Sequence, residues 1–412
     1  MWNKFFFALY ALNNYIKKEI KKHNDINNKT KEVLIIIDRV AVGDVVTLME
    51  GLYNLSRYMN SDSGYNVHLA TDCSVIRLLK ACHSSFDFSM ISISSTMQQK
   101  YYRTSYKKNY ENLNIKSWDL IISIDPLERY LRLMLMGLQY KKIIAGEVLS
   151  HKTWSVKIID KLFLNYDGIN CCGTQKKMAH KASNSRAVIS EVIRTEFQMK
   201  DEIVFYRYRI PLQHNNVPIK NMYCCVCAGD IAKGHANPYR AWDVDKYIDV
   251  LRYILQFTNL DIVFVGSDND KRNNDKLFAM LNCNERVKNM TCQTTFDGWM
   301  ELLGNAKFVL GNDSGGIHLS YLLGTQAFVI TGYYDYGRFH PYEKEDMDDI
   351  VPIDIRVPKP DCALCAWGGE KDRHCDMTVK TKGRYKCIDD ISAKDVIAAI
   401  DDWLIKNNLK TK

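Results

Sequence analysis

Residues Gly311-Asn312-Asp313-Ser314-Gly315-Gly316-Ile317-His318 combine a strand end, a glycine-flanked turn and a polar helix start. Ahead of them Lys307-Phe308-Val309-Leu310 reads as a short buried strand; behind them Ile317 to Gly324 reads as the first turns of a helix. A strand that turns through glycines into a helix leaves backbone N–H groups unpaired, with the positive end of the helix dipole behind them. That arrangement suits a phosphate. Asp313 adds a carboxylate at the edge and His318 a polar group one turn on, so a ligand of the nucleoside diphosphate kind fits. On these residues alone, an ordinary turn with Asp313 or Ser314 as N-cap is the alternative.

A second group is Cys362-Ala363-Leu364-Cys365 with Cys375 and Cys387. A C-x-x-C pair and two further thiols offer four soft ligands suited to tetrahedral zinc or iron in a structural role. The unequal spacing leaves free loop cysteines as the other reading. The chain holds 13 cysteines, an odd number, and carries no export signal, which points to a reducing compartment and away from a disulfide framework. Cys224, Cys225 and Cys227 lie in an apolar run and read as small core residues.

The elements that must position these groups alternate. Val33-Leu34-Ile35-Ile36-Ile37 is a strand of the kind buried on both faces of a parallel sheet, and Val45 to Tyr58 follows at helical spacing. Val67 to Ala70, Ser74 to Ala81 and Leu120 to Ile124 continue as strand, helix and strand. The signal weakens from about Val188 to Lys220. A second block then reads as a strand at Tyr223 to Ala228, a helix at Trp242 to Gln256, a strand at Ile262 to Val265, a helix at Asp275 to Leu281, and strands at Phe308 to Leu310 and Ala327 to Ile330. Ser392 to Asp395 has capping-box spacing ahead of an amphipathic closing helix. Two alternating blocks imply an α/β chain of two Rossmann-like domains. The expected boundaries are an N-terminal extension over 1–30, a first domain over 31–200, a linker over 201–220, a second domain over 221–340 and a cysteine-containing segment with the closing helix over 341–412.

At 412 residues, 46% hydrophobic and 25% charged, the chain has the composition of a soluble globular protein of two domains. A net charge of +8 falls short of the dense basic stripes of nucleic-acid binders and is compatible with anionic substrates or an anionic membrane surface, or simply with lysines used for solubility. No apolar run is long enough to span a membrane. Met1 to Leu12, followed by the lysines from Lys17 to Lys22, fits a helix lying on a membrane surface or one packed on its own protein.

Several segments together resemble glycosyltransferase family 9, the heptosyltransferases. Ile35 to Val46, with Gly43-Asp44 after the first strand, resembles the family's N-terminal signature. Trp118 to Asp125 is similar to its aromatic-Asp strand. Arg240-Ala241-Trp242, Val263-Phe264-Val265-Gly266 and Asp313-Ser314-Gly315-Gly316-Ile317-His318-Leu319 are similar to its basic-x-Trp, strand-Gly and Asp-Ser-Gly-x-x-His signatures. They fall in the family's order from Ile35 to Leu319.

The resemblance implies the GT-B architecture: an N-terminal acceptor domain and a C-terminal donor domain facing a central cleft that binds ADP-heptose. It implies inverting transfer of a heptose to a lipopolysaccharide-core sugar or related cell-surface glycan, with no cofactor required for transfer; the expected location is the cytoplasm, with peripheral contact at the cytoplasmic face of the inner membrane as an option. The family's acid maps onto Asp44 as general base, a role that needs a carboxylate within reach of the attacking hydroxyl. A helix-start carboxylate that stabilises the dipole is the bland reading of Asp44. Donor binding maps onto Arg240, Asp313, Ser314, Gly315, Gly316 and His318, and Asp268 and Asp270 lie where the family commonly holds a ribose-binding acid; Lys233, in the loop after a strand, is a candidate to substitute for Arg240, with a solvated loop lysine as the other reading. Arg129 and Arg132, after Asp125-Pro126, are candidates for acceptor carboxylates or phosphates. Three positions depart from the family: Arg240 stands where it more often has Lys, Pro126 replaces its Gln, and Glu50 replaces its Pro. Cysteine groups like that of Cys362, Cys365, Cys375 and Cys387 occur in the autotransporter heptosyltransferases, where they hold iron. Protein heptosyl transfer is therefore the second reading, and a noncatalytic nucleotide-sugar-binding protein of the same fold is the third.

Overall fold

The computed structural model describes residues 2–21, 30–38, 41–60, 64–81, 86, 88–96, 103–147, 154–170, 181–199, 203–212, 217–229, 231–232, 235–236, 240–281, 284–333, 336–337, 339–342, 344, 349–359 and 383–411. The chain divides into two units, Met1–Tyr208 and Arg209–Lys412.

The first unit is built on six parallel strands, β1 (Lys31–Ile37), β2 (Tyr65–Thr71), β3 (Ser89–Ser92), β4 (Trp118–Ser123), β5 (Tyr140–Glu147) and β6 (Tyr166–Asn170), in the order β3-β2-β1-β4-β5-β6. Val33 to Ile37 are buried because β1 is central, with Ile35 paired to Leu69 on one side and Ile122 on the other. The order reverses between β1 and β4, so the loop after β1 lies at the switch point where open α/β sheets bind ligands.

Among the described residues, eight helices belong to this unit: α1 (Trp2–Lys21), α2 (Val42–Val46), α3 (Met49–Asn60), α4 (Cys73–Ala81), α5 (Arg103–Leu113), α6 (Arg129–Leu135), α7 (Trp154–Phe163) and α8 (Lys181–Glu196). The periodicity from Val45 to Tyr58 predicts one helix, whereas the chain forms two. Between them Thr47 donates its hydroxyl to the Asp44 carbonyl at 2.9 Å, a local bond that competes with the helical ladder. α8 occupies part of the weak-signal stretch after Val188 and buries Val188, Ile189, Val192 and Ile193. α1 sinks Phe7 and Ala11 into the core, where the Phe7 ring meets Tyr106 and Tyr130, each at 4.8 Å. Its Leu9, Leu12 and Ile16 remain exposed.

The second unit repeats the design. Its strands are β7 (Tyr223–Cys227), β10 (Asp261–Phe264), β11 (Val287–Asn289), β12 (Val309–Asn312), β13 (Ala327–Ile330) and β14 (Ile353–Ile355), with β8 (Ile231–Ala232) and β9 (His235–Ala236) as a separate antiparallel pair. The parallel sheet runs β11-β10-β7-β12-β13-β14. β7 is central and wholly buried; its Cys224, Cys225 and Cys227 are free thiols used as small core residues, and burial pushes the Cys224 pKa up to about 12.

The helices are α9 (Val244–Phe257), α10 (Asp268–Met280), α11 (Phe296–Asn305), α12 (Gly315–Leu322), a short turn at Lys386–Asp389 and a closing helix at Ala393–Lys406. Trp242, expected to open α9, sits ahead of the Asp243 N-cap, buried against Tyr247, with its indole N–H donated to the Ile391 carbonyl at 3.0 Å. Both halves of the Ser392/Asp395 capping box are formed, and Trp403 of the closing helix packs edge-on against Phe308 and Phe328.

Candidate active site

The turn from β12 to α12 is pinned from behind. The buried Asn312 accepts from the Tyr247 hydroxyl at 2.8 Å and donates to the Gly229 carbonyl at 2.7 Å, which ties the end of β12 to the loop after β7. Glycine is required on either side of the turn. A Cβ at Gly311 would lie 2.6 Å from the Cys227 carbonyl oxygen, and one at Gly316 would lie 2.8 Å from the Cys227 Sγ. Ser314 is the N-cap in extended conformation, and its side chain makes no capping bond. The first-turn amides at Gly316 and Ile317, the ones an N-cap side chain would meet, are thus left without that partner.

Asp313 turns into a buried cluster. Its Oδ1 lies 3.2 Å from His318 Nε2 and 3.4 Å from His340 Nε2, and its Oδ2 lies 3.6 Å from the guanidinium of half-exposed Arg240. His340 continues outward, with Nδ1 3.1 Å from Asp354, whose other oxygen lies 2.7 Å from Arg356. His318 Nδ1 meets the Tyr342 hydroxyl at 2.7 Å, and the two imidazoles stack at 5.0 Å. Burial alone would raise the Asp313 carboxyl, but Arg240 and the two histidines outweigh it and hold the group well below the ordinary carboxylate range. Burial would likewise lower His340, yet Asp313 and Asp354 overcome this and hold it up at about 9. For His318, burial dominates and lowers its pKa.

Asp313, His318 and His340 offer ligand atoms within 4.8 Å of one another, close enough for one metal ion. A cationic His340 and the neighbouring Arg240 already compensate Asp313, and a divalent ion with neutral imidazoles would make the cluster one charge more positive.

The structure brings Arg240, Asp313, Ser314, Gly315, Gly316 and His318 together. His340, Tyr342, Asp354 and Arg356 join them and were missed from the sequence. Asp354 and Arg356, two apart in an extended segment, share a face and carried a weak signal; His340 carried none. Asp270 is the N3 acid of a capping box on Ser267 and also accepts from the Gly229 amide; burial raises its pKa to about 6. Asp268 is exposed at the start of α10 beside the Cys292 thiol. Lys233 lies outside the described residues.

In the first unit Asp44 is half-buried in the first turn of α2, directly after β1. Glu50 is buried and paired with Arg186. The two arginines expected to act together part company. Arg132 is enclosed, ion-paired with Asp160 and bonded to the Leu127 carbonyl, because α6 is buried from Leu131 to Leu135. Its guanidinium serves the core. Arg129 is exposed at the rim of an apolar hollow of about 270 Å³ lined by Ala8, Leu12, Tyr130, Leu133, Met136 and Ile159. Of the four cysteines expected to bind metal, Cys362, Cys365 and Cys375 lie outside the described residues; Cys387 is buried, its Sγ 3.4 Å from the Tyr333 amide.

Residues 215–352 match the family model of glycosyltransferase family 9 (heptosyltransferase). No curated protein sequence matches the chain. Among solved structures, the chain is similar to a family 9 glycosyl transferase from Veillonella parvula, with a TM-score of 0.65 and 13% identity over 93% of this chain and 100% of that one. It is similar to the ADP-heptose lps heptosyltransferase II of E. coli, with a TM-score of 0.62 and 14% identity over 92% and 99%. The iron-containing dodecameric glycosyltransferase TibC of enterotoxigenic E. coli gives a TM-score of 0.52 and 11% identity over 93% and 79%. Residues 215–352 thus carry the sequence pattern of glycosyltransferase family 9, and across the chain the two Rossmann-like units share the fold of these GT-B heptosyltransferase structures.

Proposed function

We propose that the protein transfers a heptose, with inversion, from ADP-heptose to a lipopolysaccharide-core sugar or a related cell-surface glycan. The observation that supports this reading most is the buried Asp313 cluster at the start of α12. A carboxylate kept anionic beside Arg240 can accept from sugar or ribose hydroxyls, while the amides of Ser314, Gly315 and Gly316, with Arg240, stabilise charge developing on the departing diphosphate. His318 is enclosed between Asp313 and Tyr342, so its contribution is to hold the cluster in place. Asp44 is the general base that takes the proton of the attacking hydroxyl, and Arg129 is the cation offered to acceptor anions.

The transfer needs no metal step. A structural zinc or iron at Cys362, Cys365, Cys375 and Cys387 is part of the proposal, and the amide that approaches the Cys387 sulfur suits a thiolate. The same cysteines favour a second reading, protein heptosyl transfer, since the similar TibC is described as iron-containing. The protein acts at the cytoplasmic face of the inner membrane, touching it through the exposed apolar stripe of α1.

Acceptor-dependent release of ADP from ADP-heptose tests the reading, with lipopolysaccharide core and outer-membrane protein extracts as alternative acceptors. Asp44→Ala is expected to lower turnover at least about 100-fold while donor affinity stays within a few fold. Turnover that survives Asp44→Ala removes the base. Donor binding without turnover on any acceptor favours a noncatalytic binding protein.

A further inference from the structure

We propose that His340 is a positioning residue for Asp313: lodged between the carboxylates of Asp313 and Asp354, it fixes Asp313 as an acceptor for hydroxyls of the donor sugar. This rests on the reading of Asp313 as a donor-binding residue.

The groups form a line of alternating charge: Arg240, Asp313, His340, Asp354 and Arg356, with successive contacts of 3.6, 3.4, 3.1 and 2.7 Å. Its middle is interior, with His340 at 2% and Asp313 at 5% exposure. A neutral imidazole has one N–H and can serve one of two flanking carboxylates; only the imidazolium presents a proton to both. Both ring nitrogens of His340 face a carboxylate oxygen at ion-pair distance, so charge attraction adds to each N–H contact.

His318 stacks on the same imidazole at 5.0 Å, and two imidazolium rings at that separation would repel. His318 is therefore the neutral member. With its Nε2 proton toward Asp313, its Nδ1 is an acceptor and the Tyr342 hydroxyl donates to it. Asp313 Oδ1 is then occupied by two histidines, and Oδ2, on the Arg240 side, is the oxygen left for a ligand. Without His340, Asp313 would lose the cation that fixes Oδ1 and would turn toward Arg240.

The consequence is selective. Contacts to the diphosphate come from backbone amides and Arg240, whereas those to the sugar depend on the orientation of Asp313. Calorimetric titration of the full chain with ADP and with ADP-heptose separates the two. In His340→Gln, affinity for ADP-heptose is expected to fall about tenfold while affinity for ADP changes less than twofold. Asp354→Asn is expected to act in the same direction, and the double variant to bind no more weakly than His340→Gln alone, because both changes break one line.

Equal losses for ADP and ADP-heptose, or additive losses in the double variant, would overturn the proposal. So would a stoichiometric metal found by elemental analysis in the wild type and missing from His340→Gln. If His340→Gln fails to fold, Asp354→Asn alone carries the ADP against ADP-heptose comparison. A wild type that binds neither ligand would remove the donor-site reading itself, a result distinct from a wild type that binds both and a variant that loses both equally.

Discussion

Asp313 and His340 hold each other in their charged forms, and that mutual dependence gives the second unit a pH response. The sign follows from the directions of the two shifts. His340 is raised from 6.5 to about 9 in the folded chain, so its stabilisation is complete below about pH 6.5 and is lost as pH climbs through 9. Asp313 is depressed, so its contribution is present above its ordinary carboxylate pKa and is lost as acid titrates it. The groups facing His340 are Asp313, Asp354, His318 and Tyr342, with Arg356 and Arg240 at either end of the line. The unfolding midpoint of the wild type should fall between pH 7 and pH 9.5 relative to that of His340→Gln, with an upper bound on the order of 3 kcal/mol. Parallel midpoints across that range in thermal melts would show that His340 is not cationic in the folded protein.

At the level of elements, the α1 helix shows why a hydrophobic N-terminal segment left two readings open. Both faces are used. Phe7 and Ala11 are buried against Tyr106 and Tyr130, which makes the helix part of the first unit, while Leu9, Leu12 and Ile16 stay exposed at spacings of three and four and so share one face. Lysines follow at positions 17, 18, 21 and 22. The sequence holds the apolar residues of both faces, but only the packing of α5 and α6 on one of them says which is left outside. Replacing Leu9, Leu12 and Ile16 by Ser should abolish sedimentation with vesicles containing anionic phosphatidylglycerol and leave the melting temperature nearly unchanged. Unchanged vesicle binding would remove the membrane role of this face.

Across the whole molecule, the same strand order recurs in two units that share no short repeat, one centred on the β-branched strand β1, buried from Val33 to Ile37, the other on the wholly buried, cysteine-rich β7. Thirteen cysteines serve more than one purpose in this plan. Cys224, Cys225 and Cys227 are core residues of β7, and Cys387 anchors the short helix before the closing segment to Gly332 and Tyr333. If Cys387 joins Cys362, Cys365 and Cys375 around a metal, purified protein should contain about one iron or zinc per chain, and Cys365→Ser should lose it. Protein free of metal that melts at the same temperature as Cys365→Ser would assign these thiols to ordinary packing.

The alternation of strands and helices was legible because strand burial and helical spacing are written locally, in runs such as Val33 to Ile37 and in the capping box at Ser392. The turn at Asp313 was legible for the same reason: its glycines and acid are neighbours in the chain. The break at Thr47, the enclosure of Arg132 and the line through His340 and Asp354 were not, because each depends on a partner brought near by packing. Local chemistry determined the elements and the glycine-flanked turn at Asp313. Only the tertiary structure decided which charges meet, since burial sets the cost of a charge and the neighbours supplied by distant strands decide whether that cost is offset.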